Sequence, residues 1–141
     1  MGGIAIDADG AGTPLNVLYI EDNDQNFYLV DFILKRKNFR VSRARDGLEG
    51  IEVASMMDFD IILLDIQLPQ MDGYETARRL RKIDSLEDTP IIALTSYAMV
   101  GDREKTLAAG CTGYIEKPID PTTFTAQIER YLGENYKGKS A

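Results

Sequence analysis

The chain has 141 residues, with 16 Lys and Arg against 23 Asp and Glu, a formal net charge of −7. That length suits one domain with a real core, and the acidity disfavours a direct grip on nucleic-acid phosphates. The absence of histidine removes Ser-His-Asp hydrolysis, histidine-based zinc sites and a phosphohistidine role, while the single cysteine, Cys111, leaves no internal disulfide and no cysteine metal cluster.

Residues 1–14, rich in Gly, Ala and Asp and ending at Pro14, read as a flexible tail or linker. The apolar run 16–21 has strand length, and Asn23 or Asp24 can cap a helix carrying Phe27, Val30, Ile33 and Leu34 on one face. Arg40-Val41-Ser42-Arg43-Ala44 alternates with period two and suits an edge strand. Asp46 can cap a second helix, whose expected apolar residues are Leu48, Ile51 and Val53. A strand at 60–65 precedes a third helix capped by Asp72 and bearing Tyr74, Ala77 and Leu80. The strand at 90–95 leads to a fourth helix from about Gly101 to Ala109, stopped by Gly110. After the strand at 113–116, Pro121 fits the first turn of a fifth helix with Phe124, Ile128, Tyr131 and Leu132. The residues from Glu134 are polar and read as a disordered tail, so the domain is expected at 15–133 and the tail at 134–141.

Strands alternating with helices five times imply a (βα)5 domain: a doubly wound, five-stranded parallel sheet with helices on both faces and right-handed crossovers. Three of the strands are apolar almost throughout, as covered strands are. No stretch reaches the ~20 apolar residues of a membrane helix and no signal peptide is visible, so the expected location is cytoplasmic.

In such a sheet, ligands bind beyond the carboxyl ends of the strands. Five polar residues fall there: Glu21 and Asp22, Asp65, Thr95 and Lys117. Each alone has two readings. Asp22 suits either a metal ligand or a cap for the helix that follows it. Asp65 suits either a nucleophile that becomes an aspartyl phosphate or an acid closing the turn after its strand. Thr95 offers a hydroxyl to a phosphoryl oxygen, or is simply a good strand former. Lys117 neutralises phosphoryl charge, or is a solvated surface cation. Their common position at the same end of four different strands favours one cleft with a nucleophile, a divalent cation and a counter-charge, which is what in-line phosphoryl transfer needs.

Ile20-Glu21-Asp22-Asn23, the run from Leu64 to Gly73, Leu94-Thr95-Ser96, Ala109-Gly110-Cys111 and Tyr114-Ile115-Glu116-Lys117-Pro118 together resemble the receiver domains of two-component response regulators, the CheY-like family. The resemblance covers about residues 15–133. It implies strand order 2-1-3-4-5 in a flavodoxin-like sheet. It also implies that Asp65 accepts phosphate from a sensor histidine kinase or histidine phosphotransfer protein. Mg²⁺ would be held by Asp22, Asp65 and the Gln67 backbone carbonyl, with Glu21 acting mostly through water. By the same resemblance, Thr95 and Lys117 hold the phosphoryl oxygens, Lys117-Pro118 is cis, and Tyr114 is the aromatic switch. The Glu-Asp-Asn start and Ala98-Met99-Val100-Gly101-Asp102 resemble single-domain receivers of the DivK type, and equally receivers attached to hybrid kinases.

The fourth helix, its flanking strands and the fifth helix are the expected output face, because 98–109 carries just Met99, Val100 and Leu107 as large apolar residues. The downstream protein target is unspecified, and a monomer or weak dimer is expected. By the same resemblance, Gln67 and Tyr97 are expected to tune dephosphorylation. A metal-dependent phosphatase using the same aspartyl phosphate commonly needs a second acid two residues past its nucleophile; Gln67 stands there, which favours a switch over a turnover enzyme. The remaining alternatives are a receiver cut from a hybrid kinase or larger regulator, and a receiver that works without phosphorylation.

Overall fold

The structure, a computed structural model, describes residues 12–96 and 101–140. Five strands alternate with five helices: β1 (Leu15–Ile20), α1 (Asp24–Lys35), β2 (Phe39–Ala44), α2 (Gly47–Met56), β3 (Ile61–Asp65), α3 (Gly73–Arg81), β4 (Ile91–Thr95), α4 (Asp102–Ala108), β5 (Gly113–Glu116) and α5 (Phe124–Ser140). A single 3₁₀ turn, Asp84–Leu86, lies between α3 and β4. All strand pairs are parallel and the order is β2-β1-β3-β4-β5, as expected. The alternating strand β2 is indeed at an edge.

Successive strand residues point to opposite faces, and the sheet therefore builds two cores. Val17, Tyr19, Ile61, Leu63, Ile92, Leu94 and Ile115 pack with Val30, Ile33 and Leu34 of α1 and Phe124, Ile128 and Leu132 of α5. Leu18, Ile20, Ile62, Leu64, Ile91 and Ala93 pack with Ala54 of α2 and with Ala77 and Leu80 of α3. The apolar faces expected for α1, α3 and α5 are these.

Three helices start where a side-chain oxygen can take an otherwise unpaired N–H. Asn23 accepts from the Asn26 N–H at 2.8 Å, Asp46 from Glu49 at 2.8 Å and Asp72 from Glu75 at 2.9 Å. Between the two candidates for the first cap, Asn23 serves, and Asp24 instead pairs with Arg43. The entry to α5 is held by Asp120, whose carboxylate accepts from the Thr122 N–H and hydroxyl and whose carbonyl accepts from the Phe124 N–H. Pro121 lies in that turn, and α5 runs past Glu134, where the sequence suggests a tail, to Ser140.

The apolar face of α2 differs from expectation. Leu48 is 55% exposed, Ile51 and Val53 are half-buried, and the buried residues are Gly47, Gly50 and Ala54. A Cβ on Gly50 would collide with Ile20 Cδ1 and lie 2.9 Å from Ile20 Cγ1. The helix backbone itself therefore meets the sheet, and the larger side chains are left at the flanks. Helix α4 buries only Thr106 within its span, and Leu107 is 46% exposed. It spans Asp102–Ala108, slightly inside the expected bounds, with Gly110 beyond its end at φ 106°. Tyr97, Ala98, Met99 and Val100 lie outside the described residues. Among the described residues, no helix is long and apolar enough to cross a membrane.

Candidate functional site

The carboxyl ends of β1, β3 and β5 bring Glu21, Asp65 and Lys117 together. All three continue the two-residue parity of the strand residues that face α1 and α5. Glu21 is fully buried, Asp65 is 3% exposed and Asp22 is exposed. One carboxylate oxygen from each of Glu21, Asp22 and Asp65 lies within 4.8 Å of the others. The Lys117 ammonium sits 3.2 Å from Asp65 Oδ1 and 3.7 Å from Glu21 Oε1. These groups line a cleft of about 620 Å³ that also includes Gln67, Ser96, Leu29 and Ile119.

The remaining expected site residues are distributed around this cluster. Thr95 ends β4 at 4% exposure, on the parity of Ile91 and Ala93, and its carbonyl accepts the Lys117 N–H at 2.8 Å. Ser96, rather than Thr95, lines the cleft itself. Tyr114 is half-buried against the same core as Ile91 and Ala93, so Thr95 and Tyr114 share the face of the sheet that α2 and α3 cover. Gln67 is exposed at the cleft, and its N–H donates to Asp65 Oδ1 at 2.9 Å. The Lys117-Pro118 bond is cis, as the resemblance implies. Tyr97 falls outside the described residues.

The electrostatics of the cluster favour a cation. Three acids share the cleft with one lysine. Burial, and next the negative charge of Asp65, push the Glu21 carboxyl from its ordinary value of 4.5 up to about 7. Three clustered carboxylate oxygens are the donor type a hard divalent cation such as Mg²⁺ takes, so these residues fit that ion.

Two residues that the sequence reading did not single out support Glu21. The Tyr19 hydroxyl donates to Glu21 Oε1 at 2.8 Å, while the Asn23 N–H donates to Oε2 at 3.1 Å. Burial, together with the adjacent Glu21 charge, drives the Tyr19 phenol far above its ordinary value of 10.0. Arg43 donates from Nε to the Glu21 carbonyl at 3.1 Å and pairs with Asp24 at 2.8 Å. Its guanidinium lies 4.8 Å over the Phe27 ring, which stacks in turn on Tyr19 at 6.0 Å. The signal for Tyr19 was present: residues two apart on a strand share a face. Arg43 had none, because its position beside Tyr19 depends on the β1–β2 register.

Strand order and this acidic cleft place the protein in the CheY-like class of doubly wound α/β folds. The chain belongs to the two-component response regulators through its receiver domain: the profile of the response regulator receiver domain matches residues 17–129. It is similar to the polar-differentiation response regulator DivK of Brucella anthropi, at 39% identity over 121 residues, covering 86% of this chain and 98% of that protein. Among solved structures it is similar to the chemotaxis response regulator CheY4 of Vibrio cholerae, with a TM-score of 0.81 and 29% identity over 84% of this chain and 99% of that one. It is also similar to the receiver domain of a Pseudomonas aeruginosa sensor histidine kinase, solved with a magnesium ion coordinated in its active-site cleft. There the TM-score is 0.80 and identity 34%, over 86% of this chain and all of the other.

Proposed function

We propose that the protein is a phosphorylation-dependent switch in which Asp65 accepts a phosphoryl group from a phosphohistidine of a sensor histidine kinase or histidine phosphotransfer protein. The observation that carries this reading is the Asp65 carboxylate, buried at the end of β3, 3.2 Å from the Lys117 ammonium and clustered with Glu21 and Asp22. An Asp65 oxygen attacks phosphorus in line, the phosphorus–nitrogen bond of the donor breaks, and the imidazole leaves with the electron pair and takes a proton. Lys117 balances the charge gathered on the phosphoryl oxygens. Asp22, Asp65 and the Gln67 carbonyl would hold Mg²⁺, with Glu21 behind it. When bound, that cation supplies charge neutralisation and orientation of the phosphoryl oxygens. Gln67 offers an amide, not a carboxyl acid, two residues past the nucleophile; this supports a slowly cleared aspartyl phosphate rather than a turnover enzyme.

Phosphorylation adds negative charge and three acceptor oxygens beside Thr95 and Lys117. The output is a shift in the face formed by α4, β5 and α5, read by a downstream protein. The support is that Thr95 and Tyr114 share the face of the sheet opposite α1 and α5, on neighbouring strands β4 and β5, and that α4 is thinly packed. Amide exchange with and without a phosphoryl mimic tests this output; unchanged protection across 101–120 refutes it. Gln67 and Tyr97 set the phosphorylated lifetime.

The primary test is incubation with Mg²⁺ and a small phosphodonor, followed by intact mass. One phosphate adduct is expected, and none for Asp65→Asn. An unmodified wild-type chain would refute the proposal in favour of a receiver that works without phosphorylation.

A further inference from the structure

Glu21 is the one fully buried acid of the cleft, and nothing in its own side chain fixes where its two oxygens point. Both accept a hydrogen bond. Oε2 takes the Asn23 N–H, and Oε1 takes the Tyr19 hydroxyl at 2.8 Å. The Tyr19 side chain is itself fully buried in the middle of the core beneath α1, among residues such as Val17, Leu63 and Leu94. An aliphatic residue would fill such a place with no polar atom to satisfy. A buried phenol needs a partner, and here the partner is the Glu21 carboxyl, so the bond becomes charge-assisted once that group is ionised.

The ring is braced as well. It stacks on Phe27 at an interplanar angle of 23°, and Arg43 covers Phe27 while donating to the Glu21 carbonyl. Glu21 is thus gripped at its main chain by Arg43 and at its side chain by Tyr19, with Phe27 between them. A hydroxyl has one property that a second lysine would lack: it orients the carboxylate without adding positive charge, so the attraction of the acid cluster for a cation is kept.

We infer that Tyr19 is a positioning residue of the cleft, fixing the Glu21 carboxylate for a divalent cation through its phenolic hydroxyl. The inference rests on the metal-dependent reading above. Glu21 would stand behind the direct ligands, and groups that orient such outer-shell partners typically set metal affinity.

Tyr19→Phe removes one oxygen and keeps the ring. Mg²⁺ titration of the full chain by calorimetry, with the rate of phosphorylation by a small phosphodonor followed against Mg²⁺, tests the inference. The variant is expected to bind Mg²⁺ about tenfold more weakly, and its rate at saturating Mg²⁺ is expected to equal that of the unsubstituted chain. In a Glu21→Gln background, adding Tyr19→Phe is expected to change affinity by less than about twofold, because the hydroxyl acts through Glu21. Equal affinity for Tyr19→Phe and the unsubstituted chain overturns the inference, as does an equal loss in both backgrounds. A second measurement needs no variant: the Tyr19 ring resonances must shift on Mg²⁺ addition along with the Asp22 amide, and an unmoved Tyr19 overturns the inference too. An unsubstituted chain that takes up no Mg²⁺ sinks the metal-dependent reading itself, whereas equal binding with and without the hydroxyl sinks the role of Tyr19 alone.

Discussion

Replacing Gly73 with alanine tests how closely α3 is seated behind the phosphoacceptor. Gly73 is the first residue of α3, and its N–H donates to the Ile66 carbonyl at 3.0 Å. A Cβ there would lie 2.5 Å from Ile66 Cα, 2.8 Å from the Asp65 carbonyl oxygen and 2.9 Å from Ile66 Cδ1. Ordinary carbon contacts lie at roughly 3.5–4.0 Å, so the shortfall is about 1 Å. Two of the three atoms are backbone, and no rotamer change relieves them. The helix and the end of β3 must separate instead. Overpacking costs about 1–3 kcal/mol, and a backbone clash belongs at the upper end. Alanine regains up to ~1 kcal/mol of helix propensity over glycine. The net expectation is a loss of ~2 kcal/mol, which for a chain of this size lowers Tm by about 4–8 °C. Thermal and urea melts measure it, and phosphorylation of Asp65 should slow in parallel because its carbonyl is one of the atoms displaced. A Gly73→Ala protein that melts at or above the wild-type temperature would refute the argument.

Three further expectations follow, two from the cleft and one from the loops at the opposite end of the sheet. With the cleft empty, the Glu21 carboxyl keeps its proton up to about pH 7, and Mg²⁺ must displace that proton. Mg²⁺ affinity should therefore rise with pH up to about 7, by at most tenfold per unit, and level off above it; equal affinity on both sides of that value would contradict the assignment. Between pH 4.5 and about 7 the empty native state binds more protons at Glu21 than the unfolded chain does, so this group's contribution to stability is present at lower pH and is lost as pH rises through about 7. Arg81 donates from Nε to the Gly110 carbonyl at 3.0 Å, and from Nη1 to those of Leu86 at 2.6 Å, Thr89 at 2.9 Å and Glu87 at 3.3 Å, tying the end of α3 to the turn after α4. Arg81→Leu strands several acceptors and should cost about 2 kcal/mol or more in urea unfolding; a change under ~0.5 kcal/mol would show that water replaces the guanidinium.

Much of the fold was legible because its signals are local. Asn23, Asp46 and Asp72 cap helices with their own side chains, a bond spanning three residues. Uniformly apolar runs mark strands covered on both faces, and strict alternation with helices leaves a parallel sheet as the natural arrangement. The cleft was legible for a related reason: a doubly wound sheet sends every strand's carboxyl end to one edge, so Glu21, Asp65 and Lys117 had to lie near one another once the topology was given.

Contacts in which the informative atom is missing, or in which the partner lies far along the chain, were not legible. Helix α2 meets the sheet through Gly47 and Gly50, and a periodicity argument built on large apolar residues selects Leu48 instead, which is exposed. The four carbonyls gathered by Arg81 come from two loops and leave no mark in its neighbourhood of sequence. Local patterning was enough to put acids, a threonine and a lysine at the ends of parallel strands, since alternation is a property of short segments. Tertiary structure alone decided that Glu21 would be fully buried while Asp22 stays exposed, and that Tyr19, Phe27 and Arg43 would close around Glu21. Burial and charge pairing depend on which strands become neighbours and in what register, and no local stretch of chain contains that information.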